Sequence, residues 1–326
     1  MKPTVFITRP IPTEVEAYIA EHCTYRIWEG GGSISRSRLL EELADVEGLL
    51  TVGGRIDEEL LQHAPRLKVV SNISVGYNNF DIEAMKAHNV IGTHTPSVLD
   101  ETVADLTFAL MLAAARRVPE LDRYVKEGKW ESGDDEPFFG IDVHGTTLGI
   151  IGMGRIGEAI ARRAAFGFNM DVLYYNRTPK PEAEKRLDAR YCPLEELLRK
   201  SDFVVLMVPL TAESMHMMGR EQFAMMKRSA IFINVSRGKT VDESALIEAL
   251  AQKKIWAAGL DVFDEEPVSP DNPLLRMANV VTLPHIGSAT HKTRFEMAML
   301  AAENLVAALS GKTPPNVVNE LKEVKK

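Results

Sequence analysis

The chain has 326 residues, 45% hydrophobic and 26% charged, and its 38 Lys and Arg against 46 Asp and Glu give a net charge of −8. That balance excludes a mainly disordered chain. The acidic excess argues against nucleic acid as the principal partner, because neutralising phosphates needs a basic face. Two cysteines, Cys23 and Cys192, exclude a disulfide scaffold and fit a reducing compartment. The length suggests about two domains. The opening MKPTVFITRP has too short an apolar run for a signal peptide. The apolar run Leu106–Ala115 is closed by Asp105 and Arg116, well short of the ~20 residues a membrane helix needs. The expectation is a cytoplasmic protein with no membrane partner.

Taken in chain order, β-type runs alternate with helical patterns. Strands are expected at Thr4–Ile7, Tyr25–Trp28, Gly48–Thr51, Leu67–Ser71 and Val90–Thr93. Between them Ile11–Glu21 (Pro12 in its first turn), Ser35–Leu43, Asp57–His63 and Phe80–His88 read as helices. A long helical pattern follows over Asp100–Lys126, with Val103, Leu106, Leu110, Ala113 and Ala114 mostly at three- and four-residue intervals, and Pro119 as the point where it kinks or ends. Gly128–Val143 is rich in Gly, Asp, Pro and aromatics and reads as a loop.

The alternation then restarts. Strands are expected at Leu148–Ile151, Val172–Tyr175, Phe203–Val208, Ala230–Asn234, Trp256–Leu260 and Val280–Leu283. Helices are expected at Arg155–Phe166, Pro193–Arg199, Glu221–Met226, Glu243–Ala251 and finally Ala289–Leu309. Asn316–Asn319 is placed to return as a strand to the first domain. Strands separated by helices imply crossovers and parallel sheets. The fold class is therefore α/β, with two doubly wound parallel-sheet domains: residues 1–99 plus 289–326, and an inserted domain of residues 100–288.

Gly152-Met153-Gly154-Arg155-Ile156-Gly157 fits G-x-G-x-x-G, with an apolar strand feeding in and a helical pattern leaving. In that context Gly152 allows the tight turn, Gly154 the approach of a pyrophosphate, and Gly157 close helix packing. The N–H groups of Arg155 and Ile156 would then hold the phosphates. The next strand ends Tyr174-Tyr175-Asn176-Arg177-Thr178, without the acid that binds an adenosine ribose ~20 positions on. Asn176 and Thr178 offer hydrogen bonds and Arg177 positive charge, which suits a 2′-phosphate. NADP(H) is the preferred cofactor and NAD(H) the alternative.

Three polar segments follow expected strands: Ile233–Gly238 (INVSRG), Gly259–Pro267 (GLDVFDEEP) and Leu283–Thr290 (LPHIGSAT). In an open parallel sheet, ligands sit at the carboxyl ends of strands. Arg237 suits two-point binding of a carboxylate, and His285 suits proton transfer near neutral pH. Glu265 and Glu266 are both candidates for the carboxylate that orients His285. Each also has a plain reading, as a solvated arginine, a turn histidine and loop acids. The remaining histidines show no metal-type pairing, so no metal is expected.

Those three segments, together with GIIGMGRIG, resemble the D-isomer-specific 2-hydroxyacid dehydrogenases over nearly the whole chain. SVGYNNFD (Ser74–Asp81) resembles that family's substrate loop, and ETVAD (Glu101–Asp105) the start of its inter-domain helix. AFGFNM (Ala165–Met170) and DARYC (Asp188–Cys192) look closest to its bacterial glyoxylate/hydroxypyruvate reductases that also reduce 2-ketogluconate. The resemblance implies a Rossmann dinucleotide-binding domain inserted into a flavodoxin-like substrate domain. It assigns Arg237 to the substrate carboxylate and carbonyl, Glu266 rather than Glu265 to the histidine, and His285 to acid/base work. Val75 and Gly76 would offer N–H groups to the substrate, with Ser288 a further contact. Asp261 would meet the nicotinamide carboxamide, Pro209 would lie beside the cofactor, and Thr102 and Val235 would line its nicotinamide or phosphate end. It also implies a homodimer, in which the long helix and the following arm cross to the other subunit and Trp130 reaches its substrate pocket or packs in the interface.

The expected activity is NADPH-dependent reduction of short 2-keto acids to D-2-hydroxy acids, with closure of the two domains hinged near Thr95–Asp100 and Ile286–Thr290. A dinucleotide-sensing corepressor on the same fold would also keep the Arg, Glu and His. The acidic charge and compact length favour the enzyme. Formate enzymes of this fold carry Gln in place of Glu266, which argues against that activity.

Overall fold

The computed structural model describes residues 2–131 and 136–324. The chain divides into two compact units, Met1–Leu99 with Ala289–Lys326, and Asp100–Ser288. In the first, strands β1 (Thr4–Ile7), β2 (Thr24–Ile27), β3 (Gly48–Thr51), β4 (Val69–Asn72) and β5 (Ile91–Thr93) form one parallel sheet in the order β2-β1-β3-β4-β5. This is the flavodoxin-like order. β3 and β4 are buried at every position, as expected of strands covered on both faces.

Short polar side chains start the helices around this sheet. Ser35 Oγ accepts from the Arg38 N–H at 3.3 Å, and Asp57 and Asp81 accept from Leu60 and Ala84, each at 3.1 Å. Such caps typically contribute ~1 kcal/mol each. The helix His291–Leu309 packs on β3 and β4, and Ser71 on β4 donates to the Ala301 carbonyl at 2.7 Å.

The return strand expected at Asn316–Asn319 is reduced to a single antiparallel bridge, Thr93 to Val317, followed by a 3-10 turn at Asn319–Leu321. Backbone bonds flank that bridge, from His94 N–H to the Asn316 carbonyl (3.1 Å) and from Val318 N–H to the Gly92 carbonyl (3.0 Å). Beyond it the Leu321 side chain packs over Gly92, where a β-carbon would lie only 2.8 Å from it.

In the second unit β6 (Thr147–Ile151), β7 (Asp171–Tyr175), β8 (Ala189–Tyr191), β9 (Phe203–Leu206), β10 (Ile231–Asn234), β11 (Ala257–Leu260) and β12 (Val280–Thr282) are all parallel, ordered β12-β11-β10-β9-β6-β7-β8. This extends the Rossmann order by one strand. It reverses direction between β6 and β9, where such sheets bind dinucleotides.

The helix expected over Asp100–Lys126 is two helices, Asp100–Ala115 and Val118–Lys126. The break falls at Arg117, which adopts a left-handed conformation (φ 55°) and whose guanidinium is tied to Glu120. Pro119 sits in the first turn of the second helix, where its missing N–H costs nothing. The Ala115 carbonyl at the break instead accepts the Ile141 N–H at 3.0 Å. The loop expected over Gly128–Val143 runs through residues 132–135, which lie outside the described residues; Glu136–Phe138 form a 3-10 turn. Two further elements, the helix Pro181–Leu187 and the edge strand β8, are short. The helix PEAEKRL buries only Ala183 and Leu187, too sparse a stripe to stand out as a period.

Candidate active site

The glycine turn follows β6 directly. Gly152 takes φ +107°, and a β-carbon there would meet the Met207 carbonyl oxygen at 2.2 Å. A β-carbon on Gly157 would lie 2.4 Å from the Gly152 oxygen. Around Gly154, by contrast, a β-carbon would meet nothing within 4 Å. Two glycines therefore serve packing, while the third leaves an open cradle at the N-terminus of the helix Arg155–Phe168. An exposed helix N-terminus of this shape, at Arg155 and Ile156, fits the pyrophosphate of a dinucleotide.

Asn176, at the end of β7, turns back onto this cradle, and its Oδ1 accepts the Met153 N–H at 2.8 Å. Arg177 and Thr178 are exposed beyond it. Facing them, the Glu213 carboxyl is held below its usual range, chiefly by the Thr211 hydroxyl, with a smaller contribution from the charge of Arg177. Pro209, exposed after β9, has its carbonyl held by Ser214 Oγ at 2.6 Å. Val235 is buried directly after β10, and Thr102 is half-buried in the first turn of the helix Asp100–Ala115.

The catalytic candidates stand at the ends of β10, β11 and β12. Asn234 shapes the first turn. Its Oδ1 accepts the Ser236 N–H (3.0 Å) and hydroxyl (2.9 Å), and its Nδ2 donates to the Arg237 carbonyl at 3.0 Å. Gly238 admits no side chain, since a β-carbon would sit 1.7 Å from the Phe263 oxygen. The Arg237 turn thus rests directly on the loop that carries Glu266. Glu266 spans two contacts there: Oε1 accepts the Phe263 N–H at 3.1 Å, and Oε2 meets His285 Nδ1 at 2.7 Å. Glu265 is exposed and has no such contact with His285.

The charges are mutually dependent. Burial pushes the Glu266 carboxyl upward, but the hydrogen bond and charge of His285, the Phe263 N–H and the charge of Arg237 outweigh it and hold the group below its usual value. Burial pulls the Arg237 guanidinium below its ordinary value, and Glu266 opposes that shift. Arg237 Nη1 also donates to the Ser236 carbonyl at 2.7 Å.

His285 adopts φ 52°, a left-handed conformation that costs a residue with a β-carbon roughly 1–2 kcal/mol. The next two amides hold it there. Ile286 and Gly287 donate to the two oxygens of Asp261, at 2.7 and 2.8 Å. Asp261 is 1% exposed, and burial raises its carboxyl despite these bonds. Both Asp261 oxygens thus serve the histidine turn, a task that the sequence does not reveal. The same holds for Asn234 and Gly238, for which the only sequence signals are an amide closing an apolar strand and a glycine directly after the arginine. Ser288, half-buried, ends this unit.

In the first unit, the loop after β4 spends its carbonyls internally. The Val75 oxygen accepts from His94 Nδ1 at 2.8 Å, and the Gly76 oxygen from Ser74 Oγ (2.9 Å) and Asn72 Nδ2 (3.2 Å). Neither the Val75 nor the Gly76 N–H donates to an acceptor among the described residues. Trp130 is 65% exposed. Among the described residues no three His, Cys, Asp or Glu side chains gather as metal ligands do.

Comparison with known proteins agrees with this geometry. The family model for the NAD-binding domain of D-isomer-specific 2-hydroxyacid dehydrogenases matches residues 108–287. A glyoxylate/hydroxypyruvate reductase B of Yersinia pestis (strain Pestoides F) is 51% identical over 319 residues, 98% of each chain. The crystal structure of a Thermus thermophilus protein is similar with 44% identity and a TM-score of 0.90, covering 97% of this chain and 99% of that one. The crystal structure of an NADPH-dependent glyoxylate/hydroxypyruvate reductase from Sinorhizobium meliloti, in complex with NADP and malonate, is similar with 32% identity and a TM-score of 0.86, covering 98% of both chains. A glycine turn at the switch point, an acid–histidine pair on neighbouring strand ends and these full-length likenesses lead to one conclusion: the chain belongs to the D-isomer-specific 2-hydroxyacid dehydrogenase family and is an NAD(P)-dependent oxidoreductase.

Proposed function

We propose that this enzyme reduces glyoxylate and hydroxypyruvate, with 2-ketogluconate as a further candidate, to the D-2-hydroxy acids, using NADPH in preference to NADH. The observation that carries the reaction type is the 2.7 Å contact of Glu266 with His285 beside the partly buried Arg237. The substrate names rest on the relatives in Yersinia pestis and Sinorhizobium meliloti. The unit 100–288 takes the cofactor role, and the unit formed by 1–99 and 289–326 the substrate role.

Reduced nicotinamide, when bound, supplies the hydride. Arg237 offers its planar fork to the substrate carboxylate and carbonyl, and steadies the negative charge that develops on the carbonyl oxygen. His285 delivers a proton to that oxygen from its Nε2 side, while Glu266 on Nδ1 fixes the ring and balances the protonated form. The N–H groups of Val75 and Gly76 are further donors to the carboxylate and Ser288 a further substrate contact, while Trp130 reaches the substrate pocket of the other subunit or packs in the interface. Thr102, Pro209, Val235 and Asp261 belong to the nicotinamide end. The N–H groups of Arg155 and Ile156 take the pyrophosphate.

The preference for NADPH is supported by the absence of an acid after β7 and by the exposed Arg177 and Thr178. Asn176 contributes mainly by bracing the turn. A homodimer is supported by the helix Val118–Lys126, which buries none of its residues, and by the exposed Val118, Val125, Trp130 and Phe139 near it in sequence. Apolar exposure of that extent marks an interaction surface. No helix among the described residues is long and apolar enough to cross a membrane, and both cysteines are free and buried, in keeping with a cytoplasmic enzyme.

Initial rates with the three keto acids test this reading. Turnover with NADPH at a kcat/KM at least tenfold above that with NADH is expected. Equal rates would keep the reductase and demote Arg177 to a surface residue. Tight dinucleotide binding without turnover of any of the three would point to a sensing protein instead.

A further inference from the structure

Arg155 opens the helix that leaves the glycine turn, and its side chain is half exposed. Its Nε donates to Asp100 Oδ2 at 3.2 Å, and among the described residues its terminal nitrogens make no hydrogen bond or ion pair. Asp100 begins the helix Asp100–Ala115 and is only 9% exposed. Its other oxygen, Oδ1, is buried with no hydrogen-bond partner among the described residues. Burial pushes this carboxyl up while Arg155 draws it down. The adjacent Glu101, which pairs with Arg162 and Arg163, adds repulsion and no relief.

A carboxylate buried on one partner, with an orphaned second oxygen, is a poor device for stability. What it does accomplish is geometric. A bond to Nε fixes the guanidinium plane and leaves the Nη1–Nη2 edge unspent at a helix N-terminus already suited to an anion.

We infer that Asp100 is a positioning residue for the cofactor: it holds Arg155 through Nε so that the Nη1–Nη2 edge meets the pyrophosphate of the dinucleotide. This rests on the dinucleotide role of the glycine turn. It adds a residue from a different helix, 55 positions away, to that site.

Calorimetric titration of the full-length enzyme tests it. Asp100→Asn weakens NADPH and NADH binding by the same factor, about tenfold, and leaves their ratio unchanged. Adenosine 2′-monophosphate, which lacks the pyrophosphate, binds both forms alike and also reports that the variant is folded. Arg155→Ala weakens NADPH by a similar factor, and Asp100→Asn adds nothing in that background, because the two residues act as one unit. Unchanged NADPH affinity in Asp100→Asn overturns the inference, as does a full further tenfold loss on top of Arg155→Ala. Tighter NADPH binding in Asp100→Asn also overturns it, by showing that Asp100 withholds Arg155 from the phosphates. A parent enzyme that binds no dinucleotide would overturn the reading of the turn itself.

Discussion

The turns after β6 and β12 each put one residue at positive φ directly off a parallel sheet, Gly152 at +107° and His285 at 52°. At Gly152 the cause is shape. The Met207 oxygen would stand 2.2 Å from any β-carbon, so glycine's lack of one is the whole of the requirement. At His285 a β-carbon is present, and the conformation is held by hydrogen bonds from the two following amides to Asp261. One turn is a steric device, a bare glycine against the carbonyl that follows β9, although its glycine spacing is legible in consecutive residues. The other is a network assembled from separate strand ends. The first leaves an open cradle at a helix N-terminus, and the second fixes the backbone that carries the His285 ring.

The comparison breaks most visibly at the histidine. His285→Ala is expected to lower kcat by ~10²–10⁴-fold, the usual weight of a positioned acid, while NADPH affinity stays within about twofold. Steady-state rates alongside cofactor titration decide it, and an unchanged kcat would remove His285 from the chemistry. Gly152→Ala should show the opposite profile. Strain at positive φ and the backbone clash together cost roughly 1–3 kcal/mol, lowering the melting temperature by several degrees and weakening NADPH at least tenfold. Normal affinity and stability in that variant would mean the turn relaxes freely.

The smallest effect sharpens the electrostatic side. Glu266 lies below the ordinary carboxylate range, so it is ionised throughout the neutral range. Its contribution to stability is fully present above the unfolded-state value and is lost only as pH falls through the lowered folded value. Glu266→Gln removes the anion that balances protonated His285. The alkaline limit of reduction should then move to lower pH in a pH–rate profile, and a profile that stays in place would assign Glu266 to loop structure alone.

Much of this architecture is legible in local sequence. The apolar runs of β3 and β9, the polar caps Ser35, Asp57 and Asp81, and the G-x-G-x-x-G turn each follow from the physics of a few neighbouring residues. Where local signals are weak, the reading falters. The charged helix Pro181–Leu187 has too few buried positions to show a period, and the division of Asp100–Lys126 falls at Arg117 because that residue goes left-handed, two positions before the proline at which the sequence places it.

By itself the sequence determined the alternation of strands and helices and the glycine turn, and it offered Arg237, His285 and the pair Glu265 and Glu266 as candidates, because periodicity, turn sterics and side-chain chemistry act over a few residues. Only the tertiary structure decided that Glu266 and not its neighbour Glu265 meets the histidine, that Gly238 must be bare beneath Phe263, that Asp261 steadies the histidine turn, and that Asp100 holds Arg155. Each of those facts joins residues 19 to 55 positions apart, Gly238 under Phe263 included. Such contacts arise where strand ends and helix starts distant in sequence come side by side, and no local pattern in the chain records which ends those will be.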